Sequence, residues 1–442
     1  MSDAVAEMET SQGTFTAQPS WNHSTTPTWF ARAQEEAWQQ FLDTPMPKRT
    51  DEEWRFADLK KLDLDGYEVP APVDENVAAD LITRTSTLEN NSAKLVFAND
   101  ELIADPLLAP ELAEQGVICK PLAQAIEEDG ELVQKYFMNR DARLGSAKFV
   151  ALHVARARAG VFVYVPRGVV VEHPIEVYHW LSGERSSVFP HTLIVTEDNA
   201  SVTVVDYFAS ESEQDGFACS VADLVAGPGS KLKHVCCQNW AEEAKSIHVS
   251  STTVGADADA KSLILNLGTS WNRSESVSHL VGKGANSDML SVCIPEGNQQ
   301  MDQRTLQLHE QPHTTSDLLY KNALYDQART IFAGLIMVGE DAHFTDAYQT
   351  CRNLLLSDEC EANAMPGLEI NADQVKCSHG STSGPITDEE LFYLKARGID
   401  DQMARQLVTF GFVNEAISRL QHPALEEVIE GKIHRRFARI SS

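Results

Sequence analysis

Apolar and polar residues follow three different rhythms along the chain. Up to about residue 145 the rhythm is mostly helical: Trp29, Phe30, Ala33, Ala37, Trp38, Phe41 and Leu42 recur on one face. Thr26-Pro27 reads as an N-cap with a first-turn proline, and Pro45 and Pro47 close the segment. Thr50-Asp51-Glu52-Glu53 reads as a capping box ahead of Trp54, Phe56 and Leu59. Leu95-Val96-Phe97 predicts a short strand. From about Gly145 to Lys376 the rhythm shortens. Runs such as Val161-Phe162-Val163-Tyr164-Val165, Ile175-Glu176-Val177-Tyr178 and Val202-Thr203-Val204-Val205 follow one another with hardly a helical pattern. Polar turns punctuate them at Glu197-Asp198-Asn199, Gly227-Pro228-Gly229, Gly255-Ala256-Asp257, Gly282-Lys283-Gly284 and Gly339-Glu340-Asp341. Several neighbouring turns lie roughly 30 residues apart, a period at which solenoids repeat. Strands so numerous and evenly spaced, over more than about 200 residues, favour a β-helix over a sandwich.

The last segment is helical again. Thr387-Asp388-Glu389-Glu390 is a second capping box, and Leu391, Phe392 and Leu394 open a helix that stops at Gly398. Asp400 or Asp401 caps the next, with Met403, Leu407, Phe410, Val413 and Ile417 on one face. Pro423 starts a last helix carrying Leu425, Val428, Ile429 and Ile433. Its basic tip, Lys432, His434, Arg435, Arg436 and Arg439, reads as a solvated helix end. A solenoid end needs a cap, so this bundle either plugs the β-helix or presents a face to another protein. The expected fold is therefore mainly β: a right-handed β-helix core over 146–385, flanked by helical domains at both ends. A disordered lead is expected over 1–24, a mostly helical domain over 25–145, and the closing helical domain over 386–442.

Composition narrows the function more than the fold. The 442 residues carry 65 acidic against 36 basic side chains, a formal net charge of −29. So acidic a surface repels phosphate backbones and anionic lipid, which argues against nucleic acid or membrane partners. No apolar stretch approaches the roughly 20 residues of a spanning helix. The first 20 residues contain Asp3, Glu7 and Glu9 and no arginine, unlike a secretory signal or transit peptide. Eight cysteines in a chain this long are too few for a disulfide framework. Free thiols in a reducing cytoplasm are the expectation.

Three constellations invite chemistry. His309-Glu310-Gln311-Pro312-His313 matches the zinc-protease pattern, which needs both histidines one helical turn apart. Pro312 inside that helix would cost about 3 kcal/mol, and Arg304 to Leu308 looks like strand. A turn at a strand end is the better reading. Glycine pairs such as Gly282-Lys283-Gly284 fall short of any phosphate-binding loop, so no nucleotide site is expected on this chain. The cysteines form no spaced run of cluster ligands, and Cys236-Cys237 in a strand would point to opposite faces. Cys119, Cys219, Cys236, Cys237, Cys293, Cys351 and Cys360 read as structural. Cys377-Ser378-His379-Gly380 differs, lying in a polar segment where the β-rich region meets the closing helices. Extended backbone puts Cys377 and His379 on one face, and thiolate and imidazole both bind iron and zinc. A cation such as Lys376 or protonated His379 would lower the thiol's pKa. Two ligands make half a site, so either another chain supplies the rest or the pair is structural.

At this point the chain resembles the SufB/SufD family of iron–sulfur cluster assembly scaffolds. The resemblance rests on Val375-Lys376-Cys377-Ser378-His379-Gly380-Ser381-Thr382 and the following Asp388 to Leu394 and Arg397-Gly398-Ile399. It rests also on Arg329 to Ile336, Asn353 to Leu356, Met365 to Ile370, and Thr50 to Phe56 near the start. It runs from about Trp29 to Leu420. Within the family, Lys-Cys-Ser-His-Gly looks like the SufD branch, although Gly380-Ser381-Thr382-Ser383-Gly384 departs from the commoner Gly-Ala-Thr-Val-Gly. The resemblance implies a non-enzymatic scaffold paired with SufB through the β-helix ends and with the SufC ATPase through the closing helices. Whether the isolated chain forms a homodimer is left open by the sequence. It places a transient iron–sulfur cluster at the SufB interface, faced by His379, with Cys377 its neighbour. The rival from another class is a stand-alone β-helix enzyme acting on polysaccharide. That would need carboxylates and a cation stacked on one solenoid face, and the sequence has no such repeated acidic positions.

Overall fold

In the computed structural model the short apolar runs are rungs of two parallel sheets stacked face to face. The structure describes residues 17–19, 21, 26–85, 88–139 and 142–440, the side chains of 105–107 excepted. The lead expected over 1–24 therefore falls outside the described residues, apart from 17–19 and 21. Successive strands alternate between the sheets. Ser201–Ser210, Lys231–Asn239, Asp259–Asn266, Asn286–Cys293, Thr315–Leu324, Asp346–Leu355 and Lys376–Pro385 stack in one. Gly216–Ala226, Lys245–Val254, Trp271–Leu280, Gln300–His309, Arg329–Val338 and Glu361–Ile370 stack in the other. The result is a β-solenoid of about eight turns.

The register explains the spacing seen in the sequence. Lys231 pairs with Asp259, Asp259 with Asn286, Asn286 with Thr315, Thr315 with Asp346 and Asp346 with Lys376. Each turn thus advances 27 to 31 residues, and residues one period apart form columns. Gly282 shows why the corners hold glycine: a Cβ there would meet the Ala256 backbone nitrogen at 1.9 Å. Alternate residues point inward, as Thr330, Phe332, Gly334, Ile336 and Val338 do, all buried. Cys236 and Cys237 do point to opposite sides, into separate apolar clusters.

Helices cover the outer sheet faces, as parallel sheets require. Thr28–Asp43 and Ala147–Arg156 lie over one, joining Trp38, Phe41, Trp54 and Phe149 to Phe217 and Trp271. The Ala93–Ala98 and Glu101–Leu108 hairpin closes the start of the other sheet, beside Ile175–Leu181. Asp388–Lys395, Asp401–Ile417 and Pro423–Ile440 form the closing bundle. Its Val413, Ile417, Leu425, Ile429 and Ile433 pack on Val235, Leu263, Leu290 and Leu319 along the second sheet's outer face. The bundle thus lies along the side of the solenoid and leaves the last rungs as free edges.

Four local expectations give way to tertiary contacts. The Thr50 box forms only the 3-10 turn Glu52–Trp54, and Asp51 instead accepts from the Lys48 amide at 2.8 Å. Trp54 is drawn into the core, parallel to Trp271 at 6.4 Å, which fixes the chain against helical winding. Pro27 itself occupies the N-cap position of the first helix, one residue later than expected. Met403 and Leu407 are exposed, because the buried stripe of their helix runs through Ala404, Thr409, Val413, Ala416 and Ile417. The basic tip is solvated only in part: His434, Arg435 and Arg439 are exposed, but Arg436 is buried, bonding to the Ile294 carbonyl, Gln299 and Glu296, while Arg439 pairs with Glu242.

Candidate functional site

The last rung of each sheet has a neighbour on one side only, Lys376–Pro385 on Asp346–Leu355 and Glu361–Ile370 on Arg329–Val338. The inward columns therefore end in the open. Cys377, His379, Ser381 and Ser383 stand over the buried Ala347, Gln349, Cys351 and Asn353. Opposite them Ala364, Pro366, Leu368 and Ile370 stand over Phe332, Gly334, Ile336 and Val338. Positions buried in every inner turn are here surface: Leu368 is 37% and Ile370 41% exposed. His379 is exposed. Cys377 is half-buried against Ile336, Val338, Ala342 and Ala347.

The structure puts Cys377 and His379 on one face of one strand, and reverses the expected electrostatics of the thiol. Burial pushes the Cys377 pKa up, the hydrogen bond from the Ala347 backbone opposes this, and Asp346 adds to the rise. The free chain therefore holds a thiol here. Among the described residues no three His, Cys, Asp or Glu side chains gather as a metal site, so this pair is at most half of one.

The other candidates fall into the framework. His309 ends a strand with Nδ1 2.8 Å from Thr314 Oγ1 and Nε2 2.8 Å from Ser316 Oγ. Both ring nitrogens are taken, and burial lowers its pKa to about 4. His313 lies in the turn at positive φ, stacked on Phe344 at 4.8 Å, and Glu310 pairs with His279 at 2.7 Å. A zinc helix is absent there. Cys119, Cys219, Cys236, Cys237, Cys293 and Cys351 are buried, and Cys360 donates to the Ser357 carbonyl at 3.0 Å. Burial raises the Cys237 thiol to about 11 and those of Cys119, Cys293 and Cys351 to about 12, which leaves them unreactive.

Two features escaped the sequence reading. The closing bundle exposes Phe392 (73%), Tyr393 (58%), Met403 and Leu407, whereas helical periodicity had put Met403 and Leu407 on one face with Val413 and Ile417, which are buried. Gln349, below His379, was also missed, although its position one 30-residue period earlier could have found it.

The fold is thus a parallel β-solenoid with helical flanks, whose last turn has a free outer edge that carries Cys377 and His379. Residues 179–412 match the family model for the SUF system FeS cluster assembly SufBD core domain, and residues 12–177 that of the SufBD N-terminal region. The chain belongs to the SufBD family of iron–sulfur cluster assembly proteins, and it is SufD-like. It is 27% identical to the iron–sulfur cluster assembly protein SufD of Bacillus subtilis over 415 residues, 93% of this chain and 94% of that protein. A SufBD family protein of Synechocystis is 26% identical over 398 residues, covering 86% and 85%. One from Staphylococcus aureus is 27% identical over 304 residues, covering 69% and 65%. Neither the family match nor these relatives favour the polysaccharide-enzyme alternative. Among the described residues no helix is long and apolar enough to cross a membrane.

Proposed function

We propose that this chain is a non-catalytic scaffold that supplies half of a cluster-building site and receives the other half from a SufB chain. The observation that carries the reading is the uncapped last turn, where interior columns end in solvent with His379 and Cys377 among them. A free sheet edge with exposed Leu368 and Ile370 is a template for a second solenoid end. Docking there would extend both sheets and bury these apolar columns. Imidazole and thiol are both iron ligands, and the partner's side chains would complete the set around the nascent cluster, which is cargo. A mixed His/Cys set suits release better than four thiolates. His379 is the stronger ligand, since the Cys377 thiol must first lose its proton. In isolation a second copy of the chain can occupy the same edge.

The energy source is a partner ATPase of the SufC type. Its docking surface is the exposed Phe392, Tyr393, Met403 and Leu407 on the closing bundle. That bundle is tied to the solenoid by Lys321–Glu415 (2.5 Å) and Arg419–Asp317 (2.6 Å), so force on the helices reaches the last turns. ATP-driven closure would strain the joined ends and open the site to iron and sulfur. The test is His379→Ala in the co-expressed SufB–SufC complex. The complex should assemble in normal amount, with cluster yield, read by absorbance and iron content, reduced at least about tenfold. An undiminished yield defeats the site assignment.

A further inference from the structure

The open end is charged as well as apolar. Its last turn, residues 358–385, carries five acidic side chains, Asp358, Glu359, Glu361, Glu369 and Asp373, and one basic one, Lys376. All six are exposed. Arg329, one turn below, meets Glu361 at 3.1 Å. Among the described residues no other lysine or arginine pairs with any of the five. The acids stand at the two ends of the Glu361–Ile370 strand, where the chain turns its corners. Between them run the inward positions of that strand, with Leu368 and Ile370 exposed, so an apolar strip lies between two acidic corners. Protein interfaces are built this way, apolar at the centre and polar at the rim.

A second copy of this chain fits such an end poorly. Two solenoid ends that extend each other's sheets meet corner to corner, whichever way round they stand. Each acidic corner of one copy then faces an acidic corner of the other. Twice five acids and twice one lysine, ten against two, would share the seam. Like charges set opposite one another destabilise paired strands, and at low salt they act without screening. We infer that the charge of this turn selects its occupant: a different solenoid end, with an apolar centre and a basic rim, in preference to a second copy. The inference rests on the reading of the open end as the pairing surface, and adds the chemistry by which the partner is recognised. Leu368 and Ile370 offer the same apolar burial to either occupant, so the carboxylates are what separate the two. Rim charges of this kind steer encounter and reject wrong partners.

The experiment uses the full chain and three neutral substitutions made together, Asp358→Asn, Glu369→Gln and Asp373→Asn. These side chains are exposed and without ion pairs among the described residues, so the fold should persist, checked by an unchanged urea midpoint. Self-association is read by sedimentation equilibrium, and pairing with a purified SufB chain by calorimetry. At about 0.01 M salt, where charges act over about 30 Å, the triple variant should self-associate at least about fivefold more tightly than the unsubstituted chain. It should pair with SufB at least about fivefold more weakly. At about 1 M salt, where the range is about 3 Å, both differences should vanish. A variant that matches the unsubstituted chain in either constant at low salt overturns the inference. Leu368→Glu with Ile370→Glu, run beside it, keeps the two readings apart. If that double variant still assembles with SufB, the open end is no interface and both readings fall. If it does not assemble while the triple variant is silent, only selection by charge fails.

Discussion

Arg273 sits at the seam between the N-terminal helices and the solenoid, fully buried. Its Nε donates to Glu275 at 2.7 Å, Nη1 to Asp302 at 2.7 Å, and Nη2 to the carbonyls of Glu53 (2.9 Å) and Leu144 (2.6 Å). The guanidinium also lies 3.7 Å from the Trp54 ring centre. Arg273→Ala would leave buried Glu275 with no cation and buried Asp302 with Arg304 alone, and should lower unfolding free energy by about 3–5 kcal/mol, measured by urea titration. Arg273→Lys should recover little, since an ammonium cannot serve the same fork. Buried histidines set the acid response. Burial lowers His153 and His248 to about 3 and His179 and His309 to about 4, each from 6.5. Below pH 6.5 the unfolded chain takes up these protons and the folded chain does not. Stability from this source is full above 6.5 and is lost as pH falls towards 3 or 4, at about 1.4 kcal/mol per pH unit for each histidine. Urea midpoints at pH 7, 6 and 5 should fall in that order; a flat series would show the imidazoles reach water.

Elements formed as the sequence directs where local signals met no competitor. Thr387 accepts from the Glu390 amide and Glu390 reaches back to the Thr387 amide, a complete capping box on an exposed helix. The same signature at Thr50 failed because burial of Trp54 outweighs about 1 kcal/mol of capping. Periodicity likewise named the apolar residues of Asp401–Ile417 but misjudged which way they face, since Thr409 and the alanines fit the solenoid more closely than Met403 and Leu407. The outward residues yield a prediction at this scale. Phe392→Ala with Tyr393→Ala should weaken the proposed binding of a SufC-type ATPase at least about tenfold by calorimetry. The stability of the chain itself should shift by no more than about 0.5 kcal/mol, as for exposed positions generally.

At the scale of the molecule, the contrast between the two solenoid ends is the main fact. The start carries the antiparallel Ala93–Ala98 and Glu101–Leu108 hairpin, while Glu361–Ile370 and Lys376–Pro385 each end a parallel sheet with a free outer edge. Placing like charges on the open edge by Leu368→Glu with Ile370→Glu should abolish the proposed pairing with SufB and the proposed self-association, both read by size-exclusion chromatography. Thermal stability of the single chain should hardly change, because both side chains are already exposed. A pairing that survives this double substitution would move the interface elsewhere on the chain.

The sequence by itself determined the period of the turns, the glycines at corners that no Cβ could enter, and the common face of Cys377 and His379. These follow from alternation and sterics within a few residues, so no distant contact can change them. Only the tertiary structure decided that the closing helices lie along a sheet face instead of over the end. It also decided that Arg436 is buried, that the Cys377 thiol is raised rather than lowered, and that an unpartnered Gln349 lies below His379. Each depends on which surfaces meet across tens or hundreds of residues. Burial, and with it charge and hydrogen-bond demand, is a property of that meeting rather than of any local pattern.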